Sequence, residues 1–370
     1  MNAAASPFLP DGLAHLRGRD LLSSADLTAE ETRALLQFAA DLKSGRRRIE
    51  LGGRTLGLIF SKSSTRTRVS FTVAMARLGG QTLDLNPQVS QVGRGEPVAD
   101  TARVLSRYVD ALAIRTFAQS ELEEYAHWAS IPVINALTDL EHPCQALADY
   151  LTLAEAFAAG PHGSLELERL QDLTLAYVGD GNNVAHSLML GGALLGVNVR
   201  IGCPVGFEPD AGVLERAQAL ATASGATVEV LHEPVAAVRG AHALYTDVWA
   251  SMGQEEEKAE RERAFAGWCL DEALIAEADS RATVLHCLPA YRGLEISAGA
   301  IEGPSSRVFD QAENRLHAQQ AVHLYQRFRL RCLPCPPTSP SSRSPQPSRS
   351  CTTGWRATSA STATAPRSAR

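Results

Sequence analysis

"RTLGLIFSKSSTRTRVSFTVAMARLGGQTLDLN", residues 54–86, contains the pattern that sets the fold. The apolar run at 54–60 predicts a strand, residues 68–78 have the apolar spacing of a helix, and residues 81–86 predict a second strand. The glycine pair between helix and strand ends the helix. A strand, a helix and a strand at this interval form the unit of a parallel sheet covered by helices.

The alternation continues along the chain and restarts after a Gly- and Pro-bearing break at 158–164. Strand and helix patterns reach "IPVINAL" at 131–137 before the break, and "LTLAYVGD" at 173–180 opens a second series. A chain of 370 residues is long enough for two domains of roughly 100–200 residues each. The sequence predicts an α/β protein of two doubly wound parallel-sheet domains, with the active site in the cleft between them at the carboxyl ends of the strands.

Charge and hydropathy exclude several classes of partner. The net charge is −6, but residues 331–370 hold six of the 35 basic side chains and no acidic one, so the first 330 residues carry 29 basic against 41 acidic side chains, a net charge of −12. We expect no nucleic-acid partner, because such binders usually have a basic footprint. No apolar run approaches the roughly 18 residues of a membrane span, and the N-terminus lacks the apolar core of a secretory signal. We therefore expect no membrane partner and a cytoplasmic location.

The last 40 residues differ from the rest in composition. Residues 331–370 are rich in Pro, Ser, Thr and Arg and have too few aliphatic residues to bury a core, which predicts a disordered, basic, low-complexity tail. Cys332 and Cys335 form a lone C-x-x-C without a second pair, so no zinc site is predicted. The seven cysteines are spread over the whole chain, and we expect reduced thiols.

"SKSSTRTR", residues 61–68, lies where the first strand passes into the first helix. A helix that begins near Ser64 presents unpaired N–H groups and the positive end of its dipole, and phosphate binds such ends. The hydroxyls of Ser64, Thr65 and Thr67 add donors. Arg66 can hold an oxyanion with two parallel hydrogen bonds. For this stretch alone, a helix cap with solvated arginines is the simpler interpretation, so the anion site needs support from other loops.

"EHPCQALAD", residues 141–149, gives such support. His142 and Gln145 are three residues apart at the start of a predicted helix, so both can point into one cavity. Pro143 in the first turn agrees with a helix start whether or not the site is functional. A hydrogen-bonded structural histidine remains the alternative.

Two later strand ends also carry chemical groups. In "TDVWASMG", residues 246–253, Asp247 with Ser251 can hold a substrate ammonium group, or Asp247 can form an Asx turn or a helix cap. In "HCLPAYRG", residues 286–293, Cys287 is either a reactive thiol or a small core residue.

"YVGDGNNVAHS", residues 177–187, has two glycines of a dinucleotide fingerprint after a strand, Gly179 and Gly181. The position of the third glycine is occupied by Val184, and the next strand ends without the acidic residue that binds a ribose. We therefore expect no NAD site. Asn182 and Asn183 are predicted to line the cleft instead.

Together these loops resemble the motifs of the aspartate/ornithine carbamoyltransferase family, over about residues 17–325. "SSTRTR" is similar to the family's carbamoyl-phosphate signature and "HPCQALAD" to its second element. "DVWASMG" with "HCLPAYRG" resembles the pair that is typical of the ornithine-specific members. The aspartate-specific members are similar in the first half, but they normally have proline in place of Cys287 and lack the "DxxxSMG" pattern.

The resemblance implies transfer of the carbamoyl group of carbamoyl phosphate to the δ-amine of L-ornithine, giving L-citrulline and phosphate, without a cofactor or a metal. It implies catalytic roles for Arg115, His142, Asp247 and Cys287. It implies that ornithine is bound by Asn183, Asp247, Ser251 and Met252. The positions that match carbamoyl-phosphate contacts are Ser64, Thr65, Arg66, Thr67, Gln91, Arg115, His142, Gln145, Cys287, Leu288 and Arg315.

The chemistry of these groups suits such a reaction. Attack of an amine on the carbamoyl carbon builds negative charge on the carbonyl oxygen, so donors such as Thr67, Arg115 and His142 would lower the barrier. Asp247 with Cys287 can orient the amine or help to shift its pKa. Because no dedicated base is visible beside Cys287, we expect direct amine attack through a tetrahedral intermediate rather than a covalent thiocarbamate.

The resemblance also implies an assembly, with a domain order along the chain. Gln91 matches a contact on a loop that reaches toward a neighbouring subunit, in a homotrimer or a multiple of it. The expected parts are a carbamoyl-phosphate-binding domain at 1–155, an ornithine-binding domain at 156–310, a C-terminal helix at 311–330 that returns to the first domain, and the tail at 331–370.

Two alternatives stay open at this point. The acceptor could be another amine, such as putrescine, acetylornithine or aspartate, although "SMG" and Cys287 favour ornithine. The chain could also be a non-catalytic homologue that binds anions, although intact Arg66, Arg115, His142 and Cys287 argue against lost chemistry.

Overall fold

The computed structural model describes residues 18–86, 95–250 and 257–325. Two separate sheets, of four and five parallel strands, confirm the predicted α/β class. None of the helices in these ranges is long and apolar enough to cross a membrane.

The first sheet is built from the first half of the chain. Its strands are β1 (Thr55–Phe60), β2 (Gln81–Leu85), β3 (Ala111–Arg115) and β4 (Val133–Leu137). The helices of this half are α1 (Ala29–Lys43), α2 (Thr65–Arg77), α3 (Val98–Leu105), α4 (Gln119–Trp128) and α5 (Pro143–Phe157). The strand order is β2-β1-β3-β4, and each neighbouring pair is parallel.

The second sheet begins after the break that the sequence predicts. Its strands are β5 (Thr174–Val178), β6 (Asn198–Gly202), β7 (Val228–Leu231), β8 (Ala243–Thr246) and β9 (Thr283–His286), in the order β7-β6-β5-β8-β9. Its helices are α6 (Asn183–Leu195), α7 (Ala211–Ser224), α8 (Pro234–Val238), α9 (Lys258–Ala264), α10 (Glu272–Ile275) and α11 (Ala298–Glu302). A last helix, α12 (Val308–Tyr325), packs against α1, α2 and α5 of the first half.

Burial explains why these segments form parallel strands. Every residue of β3 and β5 is buried, and β1 is buried at all positions except its first. Such continuous apolar runs are expected when helices cover both faces of a sheet. Helix α5 is buried throughout residues 143–154, because α1, α6 and α12 all pack against it.

Helix caps set the boundaries of the elements next to the cleft. The Ser64 side chain accepts a hydrogen bond from the N–H of Thr67 and caps α2. Asn182 caps α6 through the N–H groups of Val184 and Ala185, and Gly196 ends that helix in a left-handed conformation, with φ of 83°.

The strand orders fix where a ligand would bind. In the first sheet the order in which successive strands are added reverses between β1 and β3, and in the second it reverses between β5 and β8. Loops that leave the carboxyl ends at such switch points diverge and open a crevice. The two switch points are therefore where functional side chains are expected, and the predicted site residues follow these strands.

Candidate active site

One cleft of about 860 Å³ collects the loops that follow β1, β3 and β4 of the first sheet and β5, β8 and β9 of the second. Twelve of the predicted site residues line it, whereas Gln91, Ser251 and Met252 lie outside the described residues. The twelve are Ser64, Thr65, Arg66, Thr67, Arg115, His142, Gln145, Asn183, Asp247, Cys287, Leu288 and Arg315.

Three guanidinium groups meet on the first-sheet side of the cleft. Arg66 comes from the first turn of α2, Arg115 from the end of β3 and Arg315 from α12. The Nε atom of each is buried and has no hydrogen-bond partner among the described residues. Burial, followed by the neighbouring charges of Arg315 and Arg66, lowers the pKa of Arg115 to about 10. The protein has thus gathered like charges that an anion would neutralise.

Hydrogen bonds hold Arg315 in this cluster. Its Nη1 donates to Oε1 of Gln145 at 2.6 Å, and its Nη2 donates to Oγ1 of Thr67 at 2.5 Å. The α12 helix therefore returns a cation to the start of α2 and α5. On the other side, Nη2 of Arg66 donates to the carbonyl oxygen of Leu288 at 2.6 Å. Leu288 adopts a left-handed conformation, with φ of 58°, which costs a branched residue roughly 1–2 kcal/mol.

His142 stands beside the arginines as a neutral group. Its ring is buried, and neither ring nitrogen has a partner among the described residues. Burial, with the charges of Arg315 and Arg115, lowers the pKa of His142 well below its ordinary value. The backbone of His142 is fixed because its N–H donates to Oγ of Ser187 at 2.8 Å. A neutral imidazole can donate one hydrogen bond to a ligand oxygen and stays uncharged at physiological pH.

A buried carboxylate orders the groups behind Gln145. Oδ1 of Asp149 accepts from Nε2 of Gln145 and from Nε2 of Gln311, both at 2.7 Å, and its Oδ2 accepts from the hydroxyl of Tyr245 at 3.1 Å. Since a carboxylate only accepts, the amide of Gln145 must turn its oxygen toward Arg315. Burial raises the pKa of Asp149 to about 7. The sequence motif contains Asp149, but only the fold brings it to Tyr245 and Gln311.

The second-sheet side of the cleft carries a carboxylate and a thiol. Thr246 lies opposite His286 in the β8–β9 ladder, so the next residues, Asp247 and Cys287, leave the sheet side by side. Sγ of Cys287 donates to Oδ1 of Asp247 at 3.0 Å. Burial and then the Asp247 charge raise the pKa of Cys287 well above its ordinary value. The thiol is therefore protonated near neutral pH and is a poor nucleophile.

Gly181, in the incomplete dinucleotide fingerprint at residues 177–187, has a structural role. A side chain at Gly181 would collide with the backbone of Glu208 and Pro209, so the tight passage after β5 serves close chain packing. Asn183 begins α6, and its Nδ2 donates to the carbonyl oxygen of Thr138 at 2.6 Å, across the cleft. This contact joins a loop of the first sheet to one of the second.

Two ion pairs at the margins of the cleft involve residues that the sequence did not assign to the site. Lys62 pairs with Asp139, and its ammonium group lies 4.2 Å from the ring centre of Phe117. Arg261 of α9 pairs with Asp180 at 2.9 Å. Lys62 belongs to "SKSSTRTR" and could have been assigned from that loop, but no local pattern marks Arg261.

Arg68, which the resemblance leaves without a role, does not line the cleft. It pairs with Asp84 of β2, and its guanidinium group lies 5.1 Å from the ring centre of Phe60. Arg68 therefore fastens α2 to the sheet, and its neighbour Arg66 faces the cleft.

Asp247, His286 and Cys287 are the one group of three potential metal ligands found within the described ranges. Both ring nitrogens of His286 are already engaged. Nε2 lies 3.0 Å from Oε1 of Glu295, and Nδ1 accepts from the N–H of Leu288 at 2.9 Å. This arrangement fits a structural role for His286 at the end of β9.

Comparison with known proteins identifies both halves. The family model described as "Aspartate/ornithine carbamoyltransferase, carbamoyl-P binding domain" matches residues 19–155, and the model described as "Aspartate/ornithine carbamoyltransferase, Asp/Orn binding domain" matches residues 171–325. The ornithine carbamoyltransferase of Parasynechococcus marenigrum is 69% identical over 320 residues, covering 86% of this chain and 97% of that protein.

Solved structures agree with this similarity. The ornithine carbamoyltransferase of Gloeobacter violaceus is 54% identical with a TM-score of 0.74, and 84% of this chain and 98% of that chain are covered. The enzyme of Pyrococcus furiosus is 49% identical with a TM-score of 0.79, and 84% of this chain and 97% of that chain are covered.

Proposed function

Because the chain belongs to the aspartate/ornithine carbamoyltransferase family, we propose that it transfers the carbamoyl group of carbamoyl phosphate to the δ-amine of L-ornithine, giving L-citrulline and phosphate. Its relatives that are 57–69% identical are named ornithine carbamoyltransferases, which supports ornithine as the acceptor. Cys287 in "HCLP" supports the same choice over aspartate.

One observation carries the proposal. The guanidinium groups of half-buried Arg66 and of buried Arg115 and Arg315 converge on the start of α2 with the buried, neutral imidazole of His142, and each has a buried nitrogen atom that lacks a partner among the described residues. A phosphate dianion at this helix end would be held by Arg66, the α2 N–H groups and the hydroxyls of Ser64 and Thr65. Neutralised in this way, phosphate becomes a good leaving group.

The carbonyl oxygen of the bound carbamoyl group would meet the donors deeper in the cleft. Arg115, His142 and Thr67 are buried, and they can bond to the negative charge that develops when an amine attacks the carbon. His142 serves as a neutral donor, because the adjacent arginines disfavour a second hydrogen on its ring. Gln145 and Arg315 fix the positions of these donors, because Arg315 is bonded to both Gln145 and Thr67.

The amine side of the reaction is assigned to Asp247, Cys287 and Asn183. The Asp247 carboxylate binds and orients the δ-amine of ornithine, and the Cys287 thiol fixes that carboxylate through a hydrogen bond of 3.0 Å. Fixing both substrates in register supplies a large part of the acceleration. The raised pKa of Cys287 favours direct attack by the amine over a covalent intermediate on sulfur.

We assign the two substrates to different parts of the chain, with carbamoyl phosphate bound by residues 1–155 and ornithine by 156–310. The helix within 311–330 completes the first site, and the bonds of Arg315 to Thr67 and Gln145 support this assignment. Gln91, Ser251 and Met252 keep the roles that the family resemblance implies, and the proposed location is the cytoplasm.

The assembly proposed is a homotrimer or a multiple of it. Strand β2 is an edge strand. Three apolar residues nearby are 36–54% exposed, namely Leu83 on β2 and Val69 and Val73 on α2. An edge strand beside exposed apolar side chains favours contact with another subunit. Light scattering during size-exclusion chromatography would give a multiple of three times the 39.6 kDa chain mass. A monomer with full activity would contradict the proposal.

Carbamoyl transfer with a panel of amines tests the function. The purified protein, supplied with carbamoyl phosphate, is expected to form a ureido product fastest with ornithine and far more slowly with putrescine, acetylornithine or aspartate. A higher rate with another amine would identify that amine as the acceptor, and the protein would be a carbamoyltransferase of different specificity. Binding of carbamoyl phosphate without turnover on any amine would favour a non-catalytic protein.

A further inference from the structure

Asn182 lines the cleft beside Asn183, but the family resemblance assigns it no role. It stands at the N-terminus of α6 and has a regular extended backbone, with φ of −87° and ψ of −172°. Its side-chain amide contacts two different structures, the helix end and the pocket carboxylate.

The helix end fixes the direction of the Asn182 amide. Oδ1 accepts from the N–H of Val184 at 2.9 Å and from the N–H of Ala185 at 3.3 Å. Both partners are donors, so the oxygen must face the helix, and the NH₂ group must face the cleft. There Nδ2 donates to Oδ2 of Asp247 at 3.1 Å.

Within the described ranges, this bond adds to two others on the Asp247 carboxylate. Its Oδ1 accepts from the N–H of Val248 at 2.8 Å and from Sγ of Cys287 at 3.0 Å. Asn182 is the partner of the other oxygen, Oδ2, in the part of the chain that the structure describes. With both oxygens bound, the plane of the carboxylate is fixed relative to α6, β8 and β9.

We propose that Asn182 is a positioning residue that sets the orientation of Asp247 for the amine substrate, in addition to capping α6. The inference rests on the proposed function of Asp247 in binding ornithine. The N-terminus of α6 would thus position the amine acceptor through Asn182 and Asp247, and the N-terminus of α2 would position the phosphate.

A cap alone would be the simpler role, and Asn182→Asp separates the two. Asp caps helices as well as Asn does, so a residue that only caps would tolerate this change without loss of stability or activity. A positioning residue would not tolerate it, because the new carboxylate oxygen would lie opposite Oδ2 of Asp247. Two carboxylates at so short a distance share one proton, so the pair formed by Asp247 and the new side chain would carry less negative charge near neutral pH.

The expected result is a loss confined to the acceptor. Asn182→Asp should lower kcat/KM for ornithine at least about tenfold near neutral pH and leave KM for carbamoyl phosphate within about threefold. The defect should shrink as the pH rises, because the shared proton is then lost. Among the described residues, the charged or titratable groups around this pair are Tyr177, whose hydroxyl donates to Oδ1 of Asn182 at 3.4 Å, and Asp180, Tyr245, Arg261 and Cys287. The melting temperature should stay within about 2 °C of the wild-type value.

Two further variants serve as controls. Asn182→Ser keeps a good cap but removes the NH₂ donor without adding charge, so it should also lower kcat/KM for ornithine while KM for carbamoyl phosphate stays unchanged. It keeps the test decisive if Asn182→Asp does not accumulate as folded protein. Asp271→Asn exchanges carboxylate and amide at the cap of α10, outside the cleft, and should have no effect on either substrate.

Wild-type kinetics separate this inference from the function on which it rests. If the wild-type protein forms citrulline, and both Asn182 variants match its kcat/KM for ornithine and its pH profile, Asn182 only caps α6 and the inference is wrong. An equal loss for both substrates, with a lowered melting temperature, would also overturn it. If the wild-type protein itself does not form citrulline, the proposed function fails first.

Discussion

Replacing Arg115 with Met should stabilise the free protein and remove its response to phosphate. Arg115 is 8% exposed, and its Nε atom has no partner among the described residues. Its pKa of about 10 lies below the value of an unfolded chain, so the charged form destabilises the fold at every pH below about 10. Met has a similar length and no charge, and it relieves this effect.

The magnitude follows from the same shift. Each pKa unit corresponds to about 1.4 kcal/mol, so burial and the two neighbouring guanidinium groups cost the charged form roughly 3 kcal/mol. Allowing for imperfect packing of Met, we expect the free energy of unfolding to rise by about 1–3 kcal/mol, or the melting temperature by about 2–6 °C.

A saturating anion should cancel or reverse the difference in stability between the wild-type protein and the Met variant. Phosphate at about 100 times its Kd stabilises the wild-type protein by about 2.7 kcal/mol. Loss of one guanidinium group beside the anion should weaken phosphate binding by about three orders of magnitude, because one charge pair near 4 Å at an effective dielectric constant of 20 contributes roughly 4 kcal/mol. Citrulline formation should fall by about 10²–10³ in kcat as well.

The assay is thermal unfolding of both proteins over a series of inorganic phosphate concentrations. Arg115→Lys is the matched control. It keeps the charge, so it should keep most of the instability without phosphate and most of the stabilisation by phosphate. A Met variant that melts below the wild-type protein without phosphate would refute the electrostatic reasoning. A Met variant that responds to phosphate as the wild type does would remove Arg115 from the anion site.

Three further changes test other parts of the account. Cys287→Ser should abolish most turnover while binding of both substrates, measured by calorimetry, is retained; full activity would contradict the orienting role of the thiol. Asp149→Asn should gain stability relative to the wild type as the pH rises from about 4 to 7, because burial raises the pKa of Asp149 to about 7 and the wild type loses stability between the ordinary carboxyl pKa and that value; thermal melts at several pH values would check this, and a constant difference would refute it. A chain that ends after residue 330 should keep its melting temperature and its citrulline-forming rate, since the match to the Asp/Orn binding domain ends at residue 325; a large loss of either would show that the tail belongs to the folded protein.

The fold could be predicted from the sequence because parallel strands are buried on both faces. Continuous apolar runs such as the strand at 174–178 are distinct from the amphipathic helices between them, and glycines or caps mark the boundaries. The strand order gives the two switch points, and each predicted loop leaves a strand end beside one of them. The boundaries at 155 and 310 remain predictions.

The interior of the site could be predicted only in part. Local motifs identify residues that face a ligand, such as Arg66 and His142, because their neighbours in sequence already form a helix start. The contact of Cys287 with Asp247 depends on the register of β8 against β9, which no local pattern gives. Asp149 is similar, since its partner Gln311 is 162 residues away in the chain.

Residues outside motifs show the same limit. Arg261 reaches Asp180 from a helix that follows the 251–256 segment, and only the folded chain brings them together. Asn182 illustrates a different difficulty. Its cap is predictable from its place before α6, whereas its bond to Asp247 requires the position of β8.

The most direct test of direct carbamoyl transfer is the bond that the reaction makes. The protein is incubated with ¹³C-labelled carbamoyl phosphate and ornithine labelled with ¹⁵N at the δ position, and the products are observed by NMR. The account predicts a ureido carbon signal split by coupling to the δ nitrogen, with the Cys287 thiol unlabelled throughout. Release of ¹³C label without a coupled product, or its accumulation on Cys287, would contradict it.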